Sequence, residues 1–234
     1  MTMWLSVDPM ADKYPSISPY AYCAWNPVKL VDPDGNDWYE IVNEETGETE
    51  IKWTDYHSQK EMDDNKQAGT YLGEVFVQFN GSSNESLGDD NKMTGEGANP
   101  ATVTIYGKNN EKDIHTYKGM TTPYSDSYST LDEGDYRAYY EDMATSVYGE
   151  AGARKKNIET ALTYRITQLD GNKTLKGKRN GKPVDMTSVF MHRTNWDGNA
   201  SKSSKGCLVI DGRSWRDVEN QIGKSSKIYI RVIR

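Results

Sequence analysis

Cysteine is scarce in this chain, with only Cys23 and Cys207 among 234 residues. A disulfide scaffold is thereby excluded. A single Cys23–Cys207 bridge stays open, and it would silence either thiol as a nucleophile. Long apolar runs are also missing. No stretch approaches the roughly 20 residues that a membrane-spanning helix needs, so no membrane partner is expected. No basic-then-apolar secretion signal opens the chain. Positive charge is in deficit, with 28 Lys and Arg against 35 Asp and Glu and a formal net charge of −7. That balance argues against a nucleic-acid partner held through phosphate contacts. His57 has no other plausible ligands at regular spacing and reads as a solvated surface histidine, so neither metal nor cofactor is expected. Hydrophobic residues make up only 35%, and Asn, Ser, Thr, Gly and 16 tyrosines fill the balance. Such a composition suits a β-rich protein with long loops better than a helical bundle.

Alternation of apolar and polar residues marks the strands. Asp37–Val42 and Thr49–Trp53 flank a turn at Asn43–Glu48, which reads as a hairpin. Leu72–Phe79 reads as one further strand, and Asn80–Pro100, rich in Asn, Ser, Gly and Asp, as a linker. Strands resume at Ala101–Tyr106 and Asp113–Tyr117, the latter carrying a structural His115. Residues 141–160 suit a short helix, and Leu162–Thr167 reads as a strand on its β-branched and aromatic content. Lys173–Lys182 is a basic loop in an acidic protein, by default a solvated turn; the alternative is attraction to an acidic polymer. Ser214 is the expected N-cap of a helix to Ile222 that ends at Gly223. Ile228, Ile230 and Val232 share one face of a terminal strand.

The chemistry concentrates between two apolar runs. Val189-Phe190-Met191 delivers His192, and Ser204-Lys205-Gly206 delivers Cys207 ahead of Leu208-Val209-Ile210. Both reactive side chains sit at strand–loop junctions, where a sheet holds them and a loop leaves them accessible. A thiol with an imidazole in reach makes a nucleophile, and Gly206 lets the backbone bend so that nearby N–H groups face an oxyanion. The bland alternative is a cysteine that is a small core hydrophobe. Its place after a Ser-Lys-Gly turn weighs against that.

His192 followed by Ser204-x-Gly206-Cys207 resembles the signature of the L,D-transpeptidase catalytic domain. The resemblance spans about residues 100 to 234. It implies a β-rich fold and a cysteine acyl-enzyme mechanism on peptidoglycan stem peptides, with Cys207 as nucleophile, His192 as base, and Ser204 and Gly206 shaping the turn. Arg193, Thr194, Asn195, Trp196 and Lys205 become candidates for substrate contact. Gly134-Asp135-Tyr136 resembles an element bordering the family's cleft, which adds Tyr136. The sequence departs from the family pattern at Arg193 (often glycine), Lys205 (often histidine) and Val209 (usually arginine).

Residues 1–36 have another texture. Five of the eight prolines lie here (Pro9, Pro15, Pro19, Pro27 and Pro33), and the segment carries Trp4-Leu5-Ser6-Val7-Asp8-Pro9, Asn26-Pro27-Val28 and Val31-Asp32-Pro33-Asp34-Gly35. These motifs resemble the end of an Rhs repeat-associated core, whose cocoon encloses a variable toxin. Asp8 and Asp32 match that family's self-cleaving aspartates, although Ala11 replaces the expected glycine; as plain turn residues they need no such role.

The expected fold is mostly β with minor α. It comprises an Rhs-core remnant (1–36), a small β-rich region with a linker (37–100), and an L,D-transpeptidase-like β-sandwich or barrel with short helices (101–234). The expected function is that of an antibacterial Rhs effector toxin, made in the producer's cytoplasm and delivered to the periplasm of target bacteria. It would cut or exchange stem peptides there and have a cognate immunity protein. A non-catalytic wall-binding domain and a cysteine peptidase acting on proteins are the alternatives.

Overall fold

A computed structural model describes residues 36–81, 100–123, 127–141, 162–196, 198 and 204–234. The Rhs-like motifs with Cys23, Asp8 and Asp32, most of the expected linker, and nearly all of the expected 141–160 helix lie outside the described residues.

Eight strands close into a barrel. In chain order the described strands are β1 (Asp37–Val42), β2 (Thr49–Thr54), β3 (Thr70–Gly73), β4 (Val75–Asn80), β5 (Pro100–Tyr106), β6 (Ile114–Met120) and β7 (Thr130–Leu131). They continue with β8 (Gly134–Tyr140), β9 (Tyr164–Thr167), β10 (Leu175–Arg179), β11 (Lys182–Met186), β12 (Phe190–Arg193), β13 (Leu208–Ile210) and β14 (Ile228–Ile233). Around the barrel the order is β12-β13-β6-β5-β4-β14-β8-β9, with β9 pairing back onto β12. Two pairings are parallel, β12 with β13 and β14 with β4. The mostly-β expectation with short helices holds.

Period-two alternation explains the closure. Val75, Val77 and Phe79 of β4, Val103 and Ile105 of β5, and Ile228, Ile230 and Val232 of β14 all enter one buried cluster. Trp215, Val218 and Ile222 of helix α2 (Trp215–Ile222) join them. Burying one such aliphatic side chain is worth about 1.5–3 kcal/mol. Gly223, at φ 58°, ends the helix as expected. Ser214 stands at the N-cap but makes no side-chain cap bond; Asp211, at the head of a short 3-10 turn, accepts from the Arg213 N–H instead.

Strands β2-β1-β3 form a small sheet outside the barrel. Residues 36–234 make one compact unit, in which β4 is a barrel strand. Trp38 and Leu72 pack with Phe76 and Tyr229, and Arg231 on β14 binds both Glu40 (2.7 Å) and Asp135 (2.8 Å). Leu72–Phe79 is accordingly two strands, not one. Gly73 turns the chain at φ +117°, and a Cβ there would lie 2.5 Å from the Lys227 carbonyl oxygen.

The basic stretch 173–182 is not a loop. It contributes most of a β10–β11 hairpin, which forms a second small sheet with β7. A short helix α1 (Gln59–Asp64), capped by Ser58, was not expected from sequence.

Buried phenols tie this fold to pH. Burial pushes Tyr117, Tyr136 and Tyr229 up to about 12, and raises Tyr71 and Tyr164 as well. The folded state therefore holds protons that the unfolded chain releases near its ordinary phenol value of about 10. Their contribution is complete below that value and is lost as pH climbs from about 10 through 12. Urea unfolding midpoints should fall steeply between pH 10 and 11.5 but hardly between 8 and 9.5. An unchanged midpoint up to pH 11.5 would contradict the phenol burial.

Candidate functional site

Parallel pairing brings the two reactive residues onto one surface. Met191 is level with Leu208, His192 with Val209, and Arg193 with Ile210. Met191, Leu208 and Ile210 belong to the core cluster, so His192 and Val209 point to the opposite face. Cys207 directly precedes Leu208 and falls level with Phe190, on the His192 face. Thiol and imidazole are thus diagonal neighbours on adjacent strands, offset by two residues or roughly 7 Å along the strand direction.

Cys207 is a free, half-buried thiol, its sulfur 3.9 Å from the Ser188 carbonyl oxygen. Crowding by surrounding protein pushes its pKa above the ordinary value; the Phe190 N–H and the Arg165 guanidinium oppose that shift. His192 is 9% exposed, and burial holds it below the usual imidazole range. Its Nδ1 lies 2.8 Å from the Arg193 carbonyl oxygen. A carbonyl only accepts, so Nδ1 carries the proton and Nε2 of the neutral ring is left with its lone pair. At neutral pH the pair rests as thiol and free base rather than as an ion pair.

Ser204 ties the turn before Cys207 together. Its Oγ accepts from the Gly206 N–H (3.0 Å) and donates to the Cys207 carbonyl (2.7 Å). The Gly206 N–H is therefore committed to the turn. Gly206 sits at φ +133°, against Ser129.

Among solved structures, the chain is similar to an L,D-transpeptidase. That protein, from Mycobacterium smegmatis, matches at a TM-score of 0.30 and 11% sequence identity, with 88% of this chain and 81% of that one covered. No family model matches, and no curated protein matches.

The other sequence candidates divide by burial. Thr194 is buried and structural: its Oγ1 accepts from the Gly212 N–H (2.8 Å) and donates to the Asn195 carbonyl (3.0 Å). Tyr136 lies in the core cluster, its hydroxyl donating to the Asp132 carbonyl (2.7 Å), and does not border an open surface. Its place on the inward register of β8 explains this. Asn195, Trp196 and Lys205 are exposed. The Arg193 guanidinium stacks 3.9 Å from the Trp196 ring centre, and Lys205 Nζ lies 5.4 Å from that of Tyr128. His57 and His115 stand elsewhere, His57 Nδ1 3.5 Å from Asp37 and His115 Nε2 3.5 Å from Asp113. Among the described residues no group of three or more His, Cys, Asp or Glu is arranged to hold a metal ion.

Sequence reasoning missed Arg165. It lies on β9, paired with Phe190, its guanidinium 4.4 Å from that ring centre and bound to Glu141 (2.7 Å) and the Thr187 carbonyl (3.2 Å). Its positive charge acts on Cys207 from a neighbouring strand and lowers the thiol pKa, against the effect of burial. The available signal was an arginine inside the apolar alternation of Tyr164-Arg165-Ile166.

Proposed function

We propose that this protein is a cysteine acyl-transfer enzyme acting on peptidoglycan stem peptides, the toxin portion of an Rhs effector. The observation that carries the reading is the shared face of Cys207 and His192, with His192 Nδ1 fixed by Arg193. The Ser204-x-Gly206-Cys207 resemblance supports the substrate class, and the motifs in residues 1–36 support the effector role. His192 Nε2 takes the thiol proton as the sulfur attacks a stem-peptide carbonyl, forming the C–S bond. The tetrahedral intermediate collapses, the C–N bond breaks, and His192 returns the proton to the departing amine. Water or a second amine then attacks the thioester, giving hydrolysis or exchange and restoring the thiol. Delivery to the target periplasm, protection by an immunity protein and enclosure in an Rhs cocoon follow from the same reading.

A non-catalytic wall-binding role is the second reading; the raised thiol pKa and the departures at Lys205 and Val209 favour it. Purified sacculi incubated with the protein and with Cys207→Ala separate the two. Loss or exchange of tetrapeptide muropeptides with the intact thiol alone is the expected result. Unchanged muropeptides with retained sacculus binding would replace catalysis by binding, and unchanged sacculi with degraded protein substrates would redirect the enzyme to proteins.

A further inference from the structure

A cleft of about 870 Å³ opens between the β7–β8 turn and the tip of the β10–β11 hairpin. Asp132 and Glu133 line it from the turn, Lys178 from the hairpin, and Arg234 and Tyr128 complete the wall. None of these residues is assigned a role above. The cleft abuts the nucleophile's turn: Gly206 packs against Ser129, between the lining residues Tyr128 and Thr130, and Lys205 stands over the Tyr128 ring.

Side chains of both signs line this cleft, the acids Asp132 and Glu133 and the bases Lys178 and Arg234. A polyanion drawn to the lysines of the hairpin would meet Asp132 and Glu133, and a polycation would meet Lys178 and Arg234. A ligand with one group of each sign satisfies both. Arg234 is pre-oriented: its Nε and Nη2 donate to Thr121 at 3.2 and 3.0 Å, which leaves the rest of its five-donor fork for an anion. Glu133 is held as well, accepting from the Arg234 backbone N–H (2.5 Å). The volume lies in the range of sites that enclose small ligands.

We infer that this cleft binds a zwitterionic peptide segment, its carboxylate against Lys178 and Arg234 and its ammonium against Asp132 and Glu133. The inference rests on the acyl-transfer reading only in taking the ligand to be a peptide. Adjacency to the turn makes the cleft a holding site for the polar end of a strand whose other end reaches Cys207.

The test is calorimetric binding of di-, tri- and tetra-alanine to full-length Cys207→Ala protein, which cannot turn them over. N-acetylated and C-amidated forms are measured in parallel. At least one free peptide should bind, and blocking either end should weaken it about tenfold, the scale of a charged hydrogen bond. Lys178→Glu should weaken the free and N-acetylated peptides but leave the C-amidated form unchanged. Asp132→Lys should weaken the free and C-amidated peptides but leave the N-acetylated form unchanged. No binding by any peptide, indifference to end-blocking, or variants that bind like the parent would overturn the inference. So would polyglutamate binding as tightly as the free peptides. Sacculus digestion reads the thiol independently. Discrimination by the cleft with inert sacculi would sink the catalytic reading alone, and digestion without discrimination would sink the cleft alone.

Discussion

Replacing Cys207 with alanine is expected to reduce stem-peptide cleavage or exchange by at least about 10³-fold, the scale on which a covalent nucleophile acts. The melting temperature should hardly move, since the side chain is half-buried and its polar contacts are weak, among them a 3.9 Å approach to the Ser188 carbonyl oxygen. The parent enzyme's pH profile is the sharper part of this result. The thiol is raised and the imidazole lowered, each chiefly by burial. The base is therefore already free across the neutral range, and the thiolate is the minor species. kcat/KM should be level across the neutral range, because the reactive form is the resting thiol with its free base, and there should be no acid limb near an ordinary histidine. Iodoacetamide alkylation of Cys207, which needs the thiolate and no base, should instead rise with pH by up to about tenfold per unit. A rate of alkylation that is already flat below pH 7 would mean a resting thiolate–imidazolium pair and would refute this account.

How far the chain could be read beforehand depended on whether side chains advertise their environment. β14 was plain, because Ile228, Ile230 and Val232 alternate with polar or aromatic neighbours and enter the core together. The strand–loop placement of His192 and Cys207 was legible for the same reason: apolar runs sit on the strand side of each. The β10–β11 hairpin was hidden by composition. Its inward positions are Leu175, Gly177 and Met186, and Gly177 is there because a Cβ would lie 2.4 Å from the Thr130 carbonyl oxygen and 2.4 Å from Met186 Sδ. With a glycine at an inward site the alternation vanishes and the lysines dominate. The Asn180-Gly181 pair, both at positive φ, was the turn signal to weigh more heavily. Arg165 was invisible for a different reason. Its nearness to Cys207 depends on pairing with Phe190 across a barrel, and no local pattern reports which distant strands become neighbours. The small sheet shows the same limit. Trp38 and Tyr39 marked β1 as a strand, but nothing in them announced that Trp38 covers Phe76 and Tyr229 while Tyr39 packs with Met62 and Tyr71.

Gly206→Ala is the second large effect expected, and it tests the turn rather than the sulfur. At φ +133° an L-residue is strained whatever its surroundings, at a cost of about 1–3 kcal/mol. Here the surroundings are also closed, since the new methyl would lie 2.6 Å from the Ser129 carbonyl oxygen and 2.8 Å from Met186 Cε. Met186 can swing away, but the Ser129 carbonyl is backbone and the turn itself must move. Ser204 bonds both the Gly206 N–H and the Cys207 carbonyl, so that movement is passed directly to the nucleophile. A displacement of about 1 Å at a reacting atom costs about 10²-fold in rate, and a domain of this size loses about 2–4 °C of melting temperature per kcal/mol. Gly171→Ala separates the two contributions: Gly171 also has positive φ (+86°), but no atom lies within 4 Å of the added methyl. It should lower the melting temperature by a comparable strain while leaving kcat intact. If Gly206→Ala and Gly171→Ala lose stability alike and both keep full activity, the nucleophile's turn is not the rigid mount described here, and the geometry that joins Cys207 to His192 loses its support.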